Sequence, residues 1–250
     1  MSSALRDGLR NRSPLWGGWI TAPTVVGPDG FCSAGYDYVG FDAQHSYLDD
    51  ADIAALIRGV AHLPIATAVR LPSADPAPIG RVLDAGADAV IVAMIETAEQ
   101  AAAVVAATRF APQGRRSFGP LRADLGRDIT TLQDRADVFV MIETAAALAD
   151  IDRICGVPGL TGIYVGPADL AISMGVEVGE ATTHPDPRAA MVGIQRSAAA
   201  AGLITGIHAG SGAAGRDVAG LGYQMITLAA ESHALRRGAA AHLHEARGAS

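Results

Sequence analysis

The sequence predicts an α/β fold, a single (β/α)8 TIM-type barrel spanning residues 1–250, and three observations predict it. Eight short apolar runs alternate with helix-like stretches from one end of the 250-residue chain to the other. The runs are continuously apolar and do not alternate, as expected of parallel strands buried on both faces. Glycine recurs just ahead of the runs, in Asp84-Ala-Gly-Ala-Asp88, Gly159-Leu, Ala201-Gly-Leu and Gly220-Leu-Gly222. Glycine at those points ends a helix in the left-handed conformation, so the next strand starts at once.

The strand candidates are, in order, Leu15–Ile20, Tyr38–Phe41, Ile65–Arg70, Ala89–Ala93, Phe139–Glu143, Gly162–Val165, Ile204–His208 and Gln224–Leu228. Helical crossovers are expected at Asp50–Ala61, Pro76–Ala85, Ala98–Thr108, Ala145–Cys155, Pro187–Ala201 and Ser211–Gly220. The Ala101–Ala107 run is too short to span a bilayer and suits a helix lying close on a sheet. The longest irregular stretch is Phe110–Arg122, with two prolines and two glycines, and a loop of that length on a barrel suggests a functional wall. No GxGxxG follows the first run, which favours a closed barrel over an open dinucleotide-binding sheet.

Composition narrows the function. Half the residues are hydrophobic and 18% are charged, which excludes disorder. A net charge of −7 with 5% aromatics and no basic cluster argues against nucleic acid. Cys32 and Cys155 form no CxxC pair, so neither a disulfide framework nor a zinc site is expected. With no apolar leader and no bilayer-length run, the expectation is a cytoplasmic protein that does not engage a membrane.

Five runs end in polar chemistry, and in a barrel all strand C-termini open on one face. Glu143 and Asp169 follow apolar runs, where a carboxylate is costly unless paired or metal-bound. Two such acids suit a divalent ion of the Mg²⁺ or Mn²⁺ kind, and equally either could cap a helix or form a surface ion pair. In Asp42-Ala-Gln-His45 the aspartate can fix the imidazole, leaving its other nitrogen as a general acid or base, or the pair can be an ordinary Asx turn. Arg70 can hold a carboxylate or an oxyanion, or pair with a strand-end acid, Glu96 being one candidate. His208 also ends a run and is placed at the pocket wall.

Six segments together resemble a known family: Gly40-Phe-Asp-Ala-Gln-His45, Ala68-Val-Arg-Leu-Pro72, Leu83-Asp-Ala-Gly86, Phe110 to Gly119, Met141-Ile-Glu-Thr144 and Val165-Gly-Pro-Ala-Asp-Leu170. In this order they are similar to the HpcH/HpaI class II pyruvate aldolases of the phosphoenolpyruvate/pyruvate barrel superfamily. The resemblance runs from about Trp16 to His208. It implies a barrel with an exchanged C-terminal helix, assembled as a homo-oligomer, a hexamer built as a trimer of dimers. It implies a divalent ion (Mg²⁺, Mn²⁺ or Co²⁺) on Glu143 and Asp169, a His45/Asp42 pair, a catalytic Arg70, and Asp84 reaching a neighbouring subunit's site. Trp19 is expected near the substrate, and Gly166 with Ala168 at a helix start beside the donor carboxylate. Gln44, Ala93 and Met141 depart from residues frequent in relatives. The implied reaction is reversible cleavage of a 4-hydroxy-2-oxoacid to pyruvate and an aldehyde through a pyruvate enolate, and the absence of lysine near the strand ends disfavours a Schiff base. A CoA-ester lyase, an oxaloacetate decarboxylase and a non-catalytic metabolite-binding barrel are the alternatives.

Overall fold

The computed structural model describes residues 14–248 together with Leu5, Gly8, Leu9 and Asn11. Eight parallel strands, β1 Leu15–Ile20, β2 Tyr38–Asp42, β3 Ala66–Leu71, β4 Ala89–Val92, β5 Asp137–Ile142, β6 Gly162–Val165, β7 Ile204–His208 and β8 Met225–Ala230, close in sequence order into a barrel. The (β/α)8 class read from the sequence is therefore the observed one. Each expected run lies within one residue or two of a strand. β2 continues through Asp42, and Glu143 falls one residue beyond β5.

The helices are α1 Val26–Ser33, α2 Asp50–Gly59, α3 Pro76–Ala85, α4 Ala98–Thr108, α5 Ile129–Arg135, α6 Ala145–Ala149, α7 Ile151–Cys155, α8 Pro167–Ser173, α9 Pro185–Ala200, α10 Gly212–Gly220 and α11 Glu231–Ala246. Their starts are written locally. Asp49 caps α2 and Thr97 caps α4, each in a reciprocal capping box, while Asp75 precedes Pro76 at the head of α3. Gly86, at φ +103°, ends α3 in the left-handed conformation the Ala-Gly-Ala punctuation implied. The expected Ala145–Cys155 helix is two short helices, because the chain breaks at Asp150.

Side chains alternate along a strand, so one parity fills the barrel and the other faces the helices. Trp19, Tyr38, Ala68, Ile91, Phe139, Met141, Tyr164 and Met225 form the inner core, with Leu5 and Leu9 packed against it. Large rings fit because glycine stands opposite them. A Cβ on Gly40 would enter the Trp19 ring, and one on Gly206 the Tyr164 ring. Tyr38 and Tyr164 hydroxyls satisfy each other's surroundings through Thr227 Oγ1, at 2.9 and 2.7 Å. The second core, between barrel and helices, takes the other parity: Val39, Phe41, Val69, Val90, Val140, Ile163 and Ile226.

Candidate active site

The inner parity delivers chemistry at the mouth. Asp42, Arg70 and His208 sit two residues beyond Gly40, Ala68 and Gly206 on the same inward-facing row, and Glu143 continues the row of Phe139 and Met141. These residues line a cavity of about 500 Å³ together with Trp19, His45, Gly166, Ala168 and Asp169.

Asp42 is its electrostatic hub. It and Arg70 are register partners on β2 and β3. Arg70 donates Nε to Oδ1 at 2.9 Å and Nη2 to Oδ2 at 2.5 Å. Trp19 Nε1 donates to Oδ2 at 3.1 Å, and the backbone N–H groups of Gln44 and His45 donate to Oδ1 at 2.9 and 3.2 Å. Burial alone would raise the Asp42 carboxyl, but the Arg70 guanidinium and those two N–H groups override it and hold the carboxyl below its ordinary value. Of the two readings of Asp42-Ala-Gln-His45, the contact present is the Asx-type turn. The carboxylate grips the His45 backbone and the Arg70 fork, while the His45 ring is left facing the cavity. Arg70 thus pairs with a strand-end acid, Asp42. Glu96 instead accepts from Thr144 Oγ1 at 2.9 Å.

Glu143 does not cap a helix. Thr144 does so for α6, and Glu143 Oε1 accepts the Met94 N–H at 2.7 Å. Burial raises the Glu143 carboxyl, the Met94 N–H opposes this, and the nearby Asp169 raises it further. Asp169 lies in the first turn of α8, whose Gly166 cap makes no side-chain bond. A buried carboxylate with a second, partly buried carboxylate beside it is an arrangement that a divalent cation resolves. A Cβ on Gly166 would run into Glu143 Oε2, so glycine keeps that oxygen clear. Among the described residues no group of three or more His, Cys, Asp or Glu is placed to hold a metal ion. A two-carboxylate set with the remaining positions left to water or substrate fits Mg²⁺ or Mn²⁺ and not structural zinc.

His208 meets Trp19 edge to face at 5.5 Å, and Trp19 stacks on Tyr164 at 6.3 Å. Burial, with Arg70 adding to it, lowers the His208 pKa to about 4, so the ring is neutral at physiological pH. Asp84 stands apart from the cavity and binds Arg116 Nη2 at 2.8 Å. The Phe110–Arg122 stretch follows it: Leu121 N–H bonds the Asp84 carbonyl, and Arg115 and Arg116 N–H groups bond Ala106 and Arg109 carbonyls. Within one chain this stretch does not line the cavity. Val178, Ala181 and Thr182 form the wall that the sequence reading did not name. Their signal was position: the Met174–His184 stretch is the long connection after β6, on the mouth side of the barrel.

Comparison with known proteins identifies the family. Residues 28–237 match the family model described as HpcH/HpaI aldolase/citrate lyase. The chain is 34% identical to a hydroxypyruvate/pyruvate aldolase of Paraburkholderia phytofirmans, over 98% of each chain. It is 29% identical to a 4-hydroxy-2-oxo-heptane-1,7-dioate aldolase of Salmonella dublin, over 96% of this chain and 93% of that one. The crystal structure of an HpcH/HpaI aldolase/citrate lyase family protein from Burkholderia cenocepacia superposes with a TM-score of 0.90 at 34% identity, covering 98% of this chain and all of that one. The barrel, the mouth constellation and these matches together place the chain in the HpcH/HpaI aldolase/citrate lyase family.

Proposed function

We propose that the chain is a carbon–carbon lyase, a divalent-metal-dependent aldolase that reversibly cleaves a 4-hydroxy-2-oxoacid to pyruvate and an aldehyde. The observation that carries this is one cavity holding Glu143, Asp169, Arg70 and His45 together at a barrel mouth. The names of the similar aldolases support the reaction class.

Glu143 and Asp169 would hold the cation, Mg²⁺, Mn²⁺ or Co²⁺. When bound, it supplies Lewis acidity to the 2-oxo group. Gly166 and Ala168 form the wall along which the substrate carboxylate lies, and Trp19 and His208 line the same cavity. His45 takes the proton of the 4-hydroxyl. The C3–C4 bond then breaks, its electron pair passes into the pyruvate enolate, and a carbonyl forms at C4. His45 then returns that proton to C3, which completes pyruvate and frees the base for the next turnover. Arg70 uses two N–H groups on Asp42 and has its others for the enolate oxygen, an interaction worth roughly 3–4 kcal/mol where donors are preorganised. Asp42 acts by fixing Arg70 and the His45 backbone.

The chain is one barrel domain that works in the cytoplasm as a homo-oligomer, a hexamer with α11 exchanged between copies and Asp84 facing a neighbour's site. No residue of α11 is buried, Leu235 is 73% exposed, and an apolar groove of about 440 Å³ lies between α11 and α1. Among the described residues no helix is long and apolar enough to cross a membrane.

The test is pyruvate release from a panel of 4-hydroxy-2-oxoacids, with EDTA-treated protein, metal add-back and the His45→Ala variant. Metal-dependent release that His45→Ala loses supports the reading. Full release by metal-free protein overturns it, and release from CoA esters alone, or from oxaloacetate alone, reassigns the chain to a lyase or a decarboxylase.

A further inference from the structure

Met94 has φ +57°, the sole non-glycine residue in the left-handed region among the described residues. That conformation crowds the Cβ of any L-residue and is unfavourable. It persists only where neighbouring contacts over-determine it, and three do. Just upstream, the Ala93 N–H is paired to the Leu71 carbonyl at 2.9 Å, which finishes the β3–β4 ladder. The Met94 N–H donates to Glu143 Oε1 at 2.7 Å, across to the next strand end. Just downstream, Ile95 is only 3% exposed, so the chain turns back into the core one residue later. Meanwhile the Met94 side chain is sent outward, 46% exposed. Its thioether is therefore not what the site uses.

The other Glu143 oxygen is treated differently. Oε2 faces Gly166, where a Cβ would collide with it. One oxygen is tied to a backbone donor and the other is kept clear. The acid has thus been given a fixed orientation before any ligand arrives.

We propose that Met94 is a positioning residue. Its left-handed backbone holds the N–H that selects Glu143 Oε1, so that Oε2 is presented to the cation. This rests on the metal reading above and adds the device that orients the ligand. Second partners of this kind typically account for 10–100-fold in metal affinity.

The experiment is Mn²⁺ titration of the full chain, followed by calorimetry and by the electron paramagnetic resonance of free Mn²⁺. Met94→Gly reaches the same φ without crowding and serves as the conservative variant. It keeps Mn²⁺ affinity within about threefold and unfolds at the parent's temperature or above. Met94→Ile, whose β-branch resists that φ, weakens Mn²⁺ binding by about tenfold or more. Replacing the Met94 amide with an ester deletes the N–H and keeps the side chain, and gives the same loss where Met94→Ile does not fold. Ester protein that binds Mn²⁺ within twofold of the parent overturns the proposal. Glu143→Gln run alongside separates the two levels. If it loses Mn²⁺ while the ester protein does not, the metal site stands and the positioning role falls. If Glu143→Gln also binds as the parent does, both fall.

Discussion

Removing the Asp42 charge tests the hub directly. In Asp42→Asn the fold keeps its shape, but one carboxylate oxygen becomes an NH₂ group. That group faces N–H donors on either side, since the carboxylate accepts from Trp19, Gln44, His45 and twice from Arg70. The Arg70 side chain is 13% exposed and the Asp42 side chain 2%, so the near-zero value of surface ion pairs does not apply. Stranding a buried arginine costs about 3–5 kcal/mol. At roughly 2–4 °C per kcal/mol for a chain of this size, the midpoint of thermal unfolding falls by about 12 °C. Differential scanning calorimetry of parent and variant at pH 7 measures this. Adding Arg70→Met to Asp42→Asn removes the stranded charge, and about half or more of the lost stability returns, because a buried pair exchanged for apolar groups is close to neutral. A drop under about 3 °C, or a double variant less stable than Asp42→Asn alone, refutes the buried-pair account of this site.

Other perturbations act on neighbouring parts of the same mouth. Because Asp42 is held below the ordinary carboxylate value of 3.8, its contribution is fully present above that pH and is lost as pH falls below it; the parent's acid unfolding steepens there and that of Asp42→Asn does not. His208 is depressed from 6.5 to about 4, so the stability of its buried neutral ring is present above pH 6.5 and drains away as pH falls toward 4. The unfolding midpoint of His208→Gln falls less over that window, and an NMR titration that finds the His208 ring protonating near 6.5 contradicts the burial argument. Gly166→Ala puts a methyl against Glu143 Oε2, and calorimetric titration shows Mn²⁺ affinity lower by about tenfold. Gly40→Ala drives a methyl into the Trp19 ring, an overpacking worth about 1–3 kcal/mol, seen as a melting midpoint several degrees lower.

Strands and site residues were unequally legible. All eight strands could be read because a strand buried on both faces is written as an unbroken apolar run, as in Val138-Phe-Val-Met-Ile. Helix α1 could not, since Gly27, Pro28 and Gly30 break its pattern and packing against Ile20 and Phe41 supplies the stability its propensity lacks. The acids and Arg70 were visible because strand ends in a barrel share one face. Their partners were not. Sequence adjacency suggested that Asp42 serves the His45 ring, whereas strand register sets Asp42 beside Arg70. Register is a property of the closed sheet, which no local stretch records. Val178, Ala181 and Thr182 belong to no motif and carry no ionisable group, so only the path of the chain after α8 reveals them. Met94 had no signal at all, because what matters there is a dihedral angle.

The packed barrel interior also sets traffic. Trp19 rests on Tyr164, Tyr38 and Tyr164 share Thr227, and Leu5 and Leu9 join the same cluster. Among the described residues side chains fill that column, so the site opens to solvent at the mouth. Two products formed there cannot pass each other: the one nearer solvent departs first, and the one held against the strand ends waits its turn. Release is then ordered by depth, and in the reverse direction the deeper molecule must be seated before its partner can follow. Inhibition by each product, measured against the other, reports that queue.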